Sequence, residues 1–112
     1  MKKNPFNALV VKPIYKMGKI YISGKISEMK ESDALKIFDK AEIMLKMNGW
    51  DAINPMRLPH EHDKTWESYM KEDIIAMIGC DVICMLPNWK QSGGAIIEKE
   101  LAEKLKMTII FL

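Results

Sequence analysis

The hydrophobic residues of this chain change period several times, and each change marks an element. "KIYIS", Lys19–Ser23, is a compact β-rich run ended by Gly24, which predicts a strand and a turn. Leu35, Phe38, Leu45 and Met47, with Ile43 less regular, then recur near helical spacing up to Asn48-Gly49. They predict a helix capped by Ser32 or Asp33. "WDAIN", Trp50–Asn54, reads as a second strand closed by Pro55, and "PMRLPHEHDK" as a long loop. Asp63 or Thr65 is placed to cap the next helix, Trp66–Ile78, which stops at Gly79. "DVICMLP", Asp81–Pro87, is nearly continuous in apolar residues, the pattern of a strand buried on both faces. A polar loop, a helix in "SGGAIIEKELAEKL" (Ser92–Leu105) and a last strand in "MTIIFL" complete the chain.

Strands alternating with helices predict a three-layer α/β domain, flavodoxin-like or Rossmann-like, with four or five parallel strands. Residues 1–18 read as an N-terminal extension, with a short strand near Leu9–Val11, before a domain over 19–112. Ligands of such sheets bind beyond the carboxyl ends of the strands. Those ends are Ser23-Gly24, Asn54-Pro55 and Leu86-Pro87.

Two residues break their apolar stripes. Gly94, Glu98, Leu101 and Leu105 fall on one line of the last helix, and a carboxylate occupies one of its slots. Trp66, Tyr69, Met70, Asp73, Ile74, Met77 and Ile78 form the stripe of the preceding helix, which Asp73 breaks in the same way. A carboxylate kept from water is costly unless it is paired or hydrogen-bonded. Either both acids border the core and reach solvent or a lysine, or the pair serves a site that needs shifted pKa values. Helical side chains lean back over the preceding turn, so Glu98 projects over Gly94 and Ala95, which leave room before it. Ser92, Gly93 and Gly94 open that helix, where free N–H groups favour an anion such as phosphate; a plain loop-to-helix turn reads the same. Two carboxylates at one cleft suit glycosidic chemistry, one as nucleophile and the other as proton donor.

Composition narrows the field. The 112 residues make one domain, 48% hydrophobic and 29% charged. A net charge of +2, without a basic run, gives no case for binding a nucleic-acid polymer. The N-terminal apolar run is broken by Lys12 and Pro13, so it is neither a signal peptide nor a membrane span. Cys80 and Cys84 would share one face of a strand about 13 Å apart. That is too far for a disulfide, so both read as buried thiols of a reduced, cytoplasmic protein. The ten methionines are read as core. His60, His62 and Asp63 lack a matched third ligand for a metal and are assigned to the loop over the pocket or to the surface. Trp66 could stack on a base but is expected in the core. Trp89, in a polar loop, is a candidate to stack on a base, and Asn54 to hydrogen-bond a ligand or only end its strand.

"KIYISG", "NP", "WESYMKEDI", "CDVICMLPNW" and "SGGAIIE", taken in this order, resemble the nucleoside 2-deoxyribosyltransferase-like superfamily over about Lys19–Leu112. The closest pattern is a small bacterial and phage branch. Its characterised relatives are nucleoside deoxyribosyltransferases and 2'-deoxynucleoside 5'-phosphate N-hydrolases. The resemblance implies that Glu98, in the Ser-x-Gly-x-x-x-Glu pattern of Ser92, Gly94 and Glu98, attacks C1' of the sugar. It implies that Asp73, eight residues before Asp81, assists the leaving base, and that Tyr21 orients the nucleophile. Ser23, Gly24 and Lys25 in the first turn, with Ser92, Gly93 and Gly94, would hold sugar or phosphate. Lys25 and Ser27 stand where the hydrolases carry Ser and Arg, and the loop before Ser92 is one residue longer and holds Trp89. The expected substrate is a small nucleoside or nucleotide, acted on without a cofactor by a homodimer or larger assembly. Two other readings are a non-catalytic nucleotide sensor and a phosphoribohydrolase of the Gly-Gly-x-Gly-Thr-x-x-Glu type. "SGGAIIE" matches the latter only in part, lacking the second Gly and the Thr.

Overall fold

The computed structural model describes residues 17–60 and 64–112. The expected strand near Leu9–Val11, and His62 and Asp63, lie outside them. Strands β1 (Gly18–Ser23), β2 (Trp50–Ile53), β3 (Val82–Met85) and β4 (Thr108–Phe111) alternate with helices α1 (Glu31–Met47), α2 (Trp66–Ile78) and α3 (Gly93–Lys104). All neighbouring strands are parallel, in the order β2-β1-β3-β4. The protein is thus a three-layer flavodoxin-like α/β domain, with four strands among the described residues. The strand order reverses between β1 and β3, and the crevice beyond that reversal is where such sheets receive ligands.

The two faces of the sheet carry separate cores. Ile20, Ile22, Val82 and Cys84 meet Phe38, Ala41 and Leu45 of α1 on one face. Tyr21, Ile83 and Met85 meet Met77 of α2 and Ala95 and Ala102 of α3 on the other. This alternation is the two-residue period of a strand covered on both sides. It also separates the cysteines. Cys84 lies on β3 facing α1, whereas Cys80 precedes the strand and joins the opposite core, so the two do not share a face. Both thiols are free, and burial pushes each up to about 11.

Local chemistry explains where elements begin. Gly18 opens β1 at a φ of +101°, one residue before the expected start, and a Cβ there would lie 2.9 Å from Asp81 Oδ2. Thr65 caps α2 by accepting from the Ser68 amide. Lys30, not Ser32 or Asp33, is the N-cap of α1, without a side-chain hydrogen bond. Asp33 instead falls in the first turn beside Glu31, where negative charge complements the helix dipole.

The helical stripes are narrower than the sequence predicts. On α3 the buried residues are Ala95, Glu98 and Ala102, and Leu105 is half exposed. On α2 only Asp73 and Met77 are fully buried, and Trp66 and Ile78 stand half exposed, so Trp66 is not core. Both anomalous acids survive this correction: Asp73 and Glu98 are 7% and 4% exposed.

Candidate functional site

Tyr21 and Ser23 are two residues apart on β1, so both side chains emerge on the face that α2 and α3 cover. Glu98 sits one turn inside α3 and meets them there. Tyr21 donates its phenolic proton to Glu98 Oε2 at 2.8 Å, and Ser23 donates its hydroxyl to Oε1 at 2.7 Å. The apolar slot that Glu98 occupies is therefore a built carboxylate site. Each oxygen accepts one proton and keeps a lone pair for other partners. Burial raises the Glu98 carboxyl to about 7, against the pull of the two hydroxyl donors. Burial, and then the negative charge of Glu98, holds the Tyr21 phenol well above its ordinary range, so it stays a proton donor.

Asp73 reaches the same space from α2. Burial raises its carboxyl to about 6, and its buried Oδ1 has no hydrogen-bond partner among the described residues. An orphaned buried acceptor costs about 1–3 kcal/mol. Asp73, Tyr21 and Glu98 line one cavity of about 540 Å³, within the size range of small-molecule sites. Its walls mix apolar side chains such as Ile26, Met29, Met56 and Trp66 with the polar Ser27, His60, Lys64 and Ser92. Its lining runs from the end of β1 to the first turns of α3, and the Leu86 amide bonds the Ser23 carbonyl at 2.8 Å, extending the β1–β3 pairing.

The glycines act differently from each other. Gly94 faces the cavity, but a Cβ there would lie 2.9 Å from Met70 Sδ, so its bareness admits the Met70 thioether. The space expected over Gly94 is thus taken by sulfur. Gly24 lets the end of β1 approach β3, since a Cβ would meet Leu86 at 2.7 Å. Gly93 has open space around it and is not part of the cavity lining. Ser92 lines the cavity while its hydroxyl oxygen caps α3 by accepting from the Ala95 amide at 3.1 Å.

The structure does not bring every candidate residue into the cavity. Lys25 lies outside the lining, and its backbone amide bonds Asn88. Asn54 is buried beneath the turn after β2, donating to Asp39 and Glu42 and accepting from the Met56 amide. Trp89 sits near Phe111 with Lys90 and Lys99 over its ring, also away from the lining. Ser23 spends its hydroxyl on Glu98, a role other than the sugar or phosphate contact expected of it. His60 joins the site instead, with Nε2 3.8 Å from Asp73 Oδ1. Its place in a histidine-containing loop hinted at the cavity, but its partners on α2 are fixed only by the folded loop. Among the described residues no group of His, Cys, Asp and Glu is arranged to hold a metal. None of the described helices is long and apolar enough to cross a membrane.

A family model described as "Domain of unknown function (DUF4406)" matches residues 18–111. No curated protein and no solved structure matches the chain. The chain belongs to the DUF4406 family.

Proposed function

We propose that this DUF4406 protein cleaves or exchanges the N-glycosidic bond of a deoxynucleoside or its 5'-monophosphate, through a covalent glycosyl intermediate on Glu98. The observation that carries this reading is the Glu98 carboxylate, held by the Tyr21 and Ser23 hydroxyls in the wall of a cavity shared with Asp73. Two hydroxyl donors fix the orientation of the carboxylate and favour its charged form. Asp73 lacks such donors: its Oδ1 has no hydrogen-bond partner among the described residues. Burial favours its protonated form, as it does at Glu98, where the two hydroxyl donors oppose it.

The steps follow from those settings. A Glu98 oxygen forms a bond to C1' while the C1'–N bond breaks and its electron pair leaves with the base. The Asp73 proton goes to the departing base nitrogen, leaving an Asp73 carboxylate. Water or a second base then attacks C1' and releases Glu98. Asp73 takes up the proton of that nucleophile, which returns both carboxyls to their starting state. Which nucleophile reaches the intermediate decides between hydrolysis and transfer.

An orphaned buried oxygen also weighs against a site built only for sensing, because an unused acceptor costs stability unless a ligand or a proton transfer engages it. The test is incubation with a panel of deoxy- and ribonucleosides and their monophosphates, read by chromatography for free base. Intact-protein mass spectrometry after an acid quench reads the intermediate. Base release with a deoxyribosyl adduct on the Glu98 peptide is expected. Tight binding without turnover across the panel would replace this reading with a sensor. Cleavage confined to ribonucleotides would indicate a phosphoribohydrolase.

A further inference from the structure

His60 lies where the loop after β2 returns to α2, and both of its ring nitrogens face acceptors. Nε2 is 3.1 Å from the Pro55 carbonyl oxygen, and Nδ1 is 3.1 Å from Glu72 Oε1. A carbonyl oxygen accepts and never donates, so Nε2 carries a proton in this contact. An ionised Glu72 likewise takes a proton from Nδ1. The arrangement is that of an imidazolium with Glu72 as its counter-ion. The ring edge of Tyr69 packs against it, with centroids 4.8 Å apart and planes at 70°. The Pro55 carbonyl is itself placed by a built turn, since Asn54 accepts from the Met56 amide while its amide nitrogen bonds Asp39 and Glu42.

The same Nε2 is 3.8 Å from Asp73 Oδ1, the buried oxygen without a hydrogen-bond partner among the described residues. That separation is too long for a hydrogen bond, yet less than an ångström of movement would make one. An unmade bond between a held cation and an orphaned acid has a use if the acid becomes an anion during the reaction.

On the glycosidic reading above, we propose that His60 is a positioning residue whose imidazolium stabilises the Asp73 carboxylate as that group gives its proton to the leaving base. Before the transfer, Nε2–H stays on the Pro55 carbonyl and Asp73 is the neutral acid. As the proton departs, the developing charge on Asp73 draws Nε2–H to Oδ1, and the Coulomb attraction grows with it. The interaction is stronger at the transition state than in the bound substrate, and only such interactions accelerate the chemical step. No proton leaves His60. Among the described residues, the charged and titratable groups around it are Glu72, Asp73 and Tyr69 on α2, Lys64 and Glu31 on the cavity wall, and Tyr21 and Glu98 across the cavity.

The role makes the effect of His60 depend on the leaving group. In His60→Gln, kcat on a natural deoxynucleoside is expected to fall about tenfold or more, a part of the roughly hundred- to ten-thousand-fold that acid–base assistance contributes. On 4-nitrophenyl 2-deoxyriboside, whose phenolate leaves without a proton, the fall is expected to be far smaller. Equal falls on the two substrates would overturn the proposal. Two measurements read protonation directly. In the unaltered protein, nitrogen NMR at the pH of maximal turnover is expected to show both His60 ring nitrogens protonated, as their contacts to Pro55 and Glu72 require, and a neutral tautomer would overturn the proposal. Carbon NMR of labelled carboxyls is expected to show Asp73 titrating at higher pH in His60→Gln, and an unmoved titration would overturn it as well. If the unaltered protein cleaved neither substrate, the glycosidic reading would fall and the proposed catalytic role with it. The NMR results would then report only the ion pairing.

Discussion

The two faces of the sheet hold the same functional group in opposite states. Asp39 and Glu42 stand on the α1 side, at the rim of the core, and both are paired. Arg57 donates to Asp39 at 2.5 Å, and Lys46 donates to Glu42 at 2.6 Å. These hydrogen bonds hold both carboxyls below their ordinary range. Asp73 and Glu98, on the α2 and α3 side, are buried with no lysine or arginine partner among the described residues, and both are raised. The rim acids serve the fold, because charge pairing and water stabilise their ionised form. The cavity acids work against the fold at neutral pH, and on the proposed glycosidic reading that cost serves the reaction.

The sharpest way to break this comparison is to remove the proposed nucleophile. Glu98→Ala is expected to lower base release on the order of ten-thousand-fold or more, the scale of losing a nucleophile. It should also abolish the deoxyribosyl adduct in the quenched mass spectrum. Retained release would show that Glu98 is only a buried acid. Asp73→Asn should cost about a hundred- to ten-thousand-fold on substrates whose base needs a proton. The pH profile of kcat/KM carries a further signature. Glu98 must be ionised and Asp73 protonated, yet the empty site binds protons more tightly at Glu98, about 7, than at Asp73, about 6. The competent form is therefore a minor one, and the profile is expected to be a narrow bell with limbs near pH 6 and 7. A broad plateau would exclude this pairing.

Much of this contrast was legible in the sequence. Periodicity placed the strands and helices to within a few residues, because each strand is covered on both faces and each helix has one buried side. Asp73 and Glu98 stood out because a carboxylate in an apolar stripe is expensive wherever the stripe is real. The details that failed were those set by distant residues. Gly94 promised an empty recess, and only the fold shows that Met70 of another helix enters it. Trp66 fitted a helical stripe, but the cavity left it half covered. Ser23 read as a ligand contact because nothing local reveals that Glu98, 75 residues away, accepts its proton. The sequence allowed His60 over the pocket, where it lies. Its partners on α2 depend on the path of the loop between β2 and α2, and loops follow no period.

Stability offers a test that needs no substrate. The folded state holds the Glu98 proton up to about 7 and the Asp73 proton up to about 6, against ordinary values of 4.5 and 3.8. Because the native state binds these protons more tightly than the unfolded chain, their contribution is complete below about pH 4. It is lost as pH rises through about 7. Glu98→Gln should accordingly raise Tm at pH 8 by a few degrees, the response of a domain this size to about 1 kcal/mol. At pH 4, where Glu98 is already protonated, the same variant should differ little. A lower Tm at pH 8 would show that the ionised carboxylate stabilises the fold.

The rim acids have the opposite sign and the smallest expected effect. Asp39 and Glu42 are lowered, so the stability they contribute is present above their unfolded values and lost as pH falls through the folded ones. Arg57 is exposed and the pairs are solvated, so that loss is shallow and screened by salt. Thermal melts across pH should then show a gentle acid limb, which Arg57→Gln and 1 M salt both flatten. The alkaline limb should be steeper and almost indifferent to salt, because its charges are buried. If salt flattened the alkaline limb as readily, Asp73 and Glu98 would be solvated like the rim acids. The contrast between the two faces would then disappear.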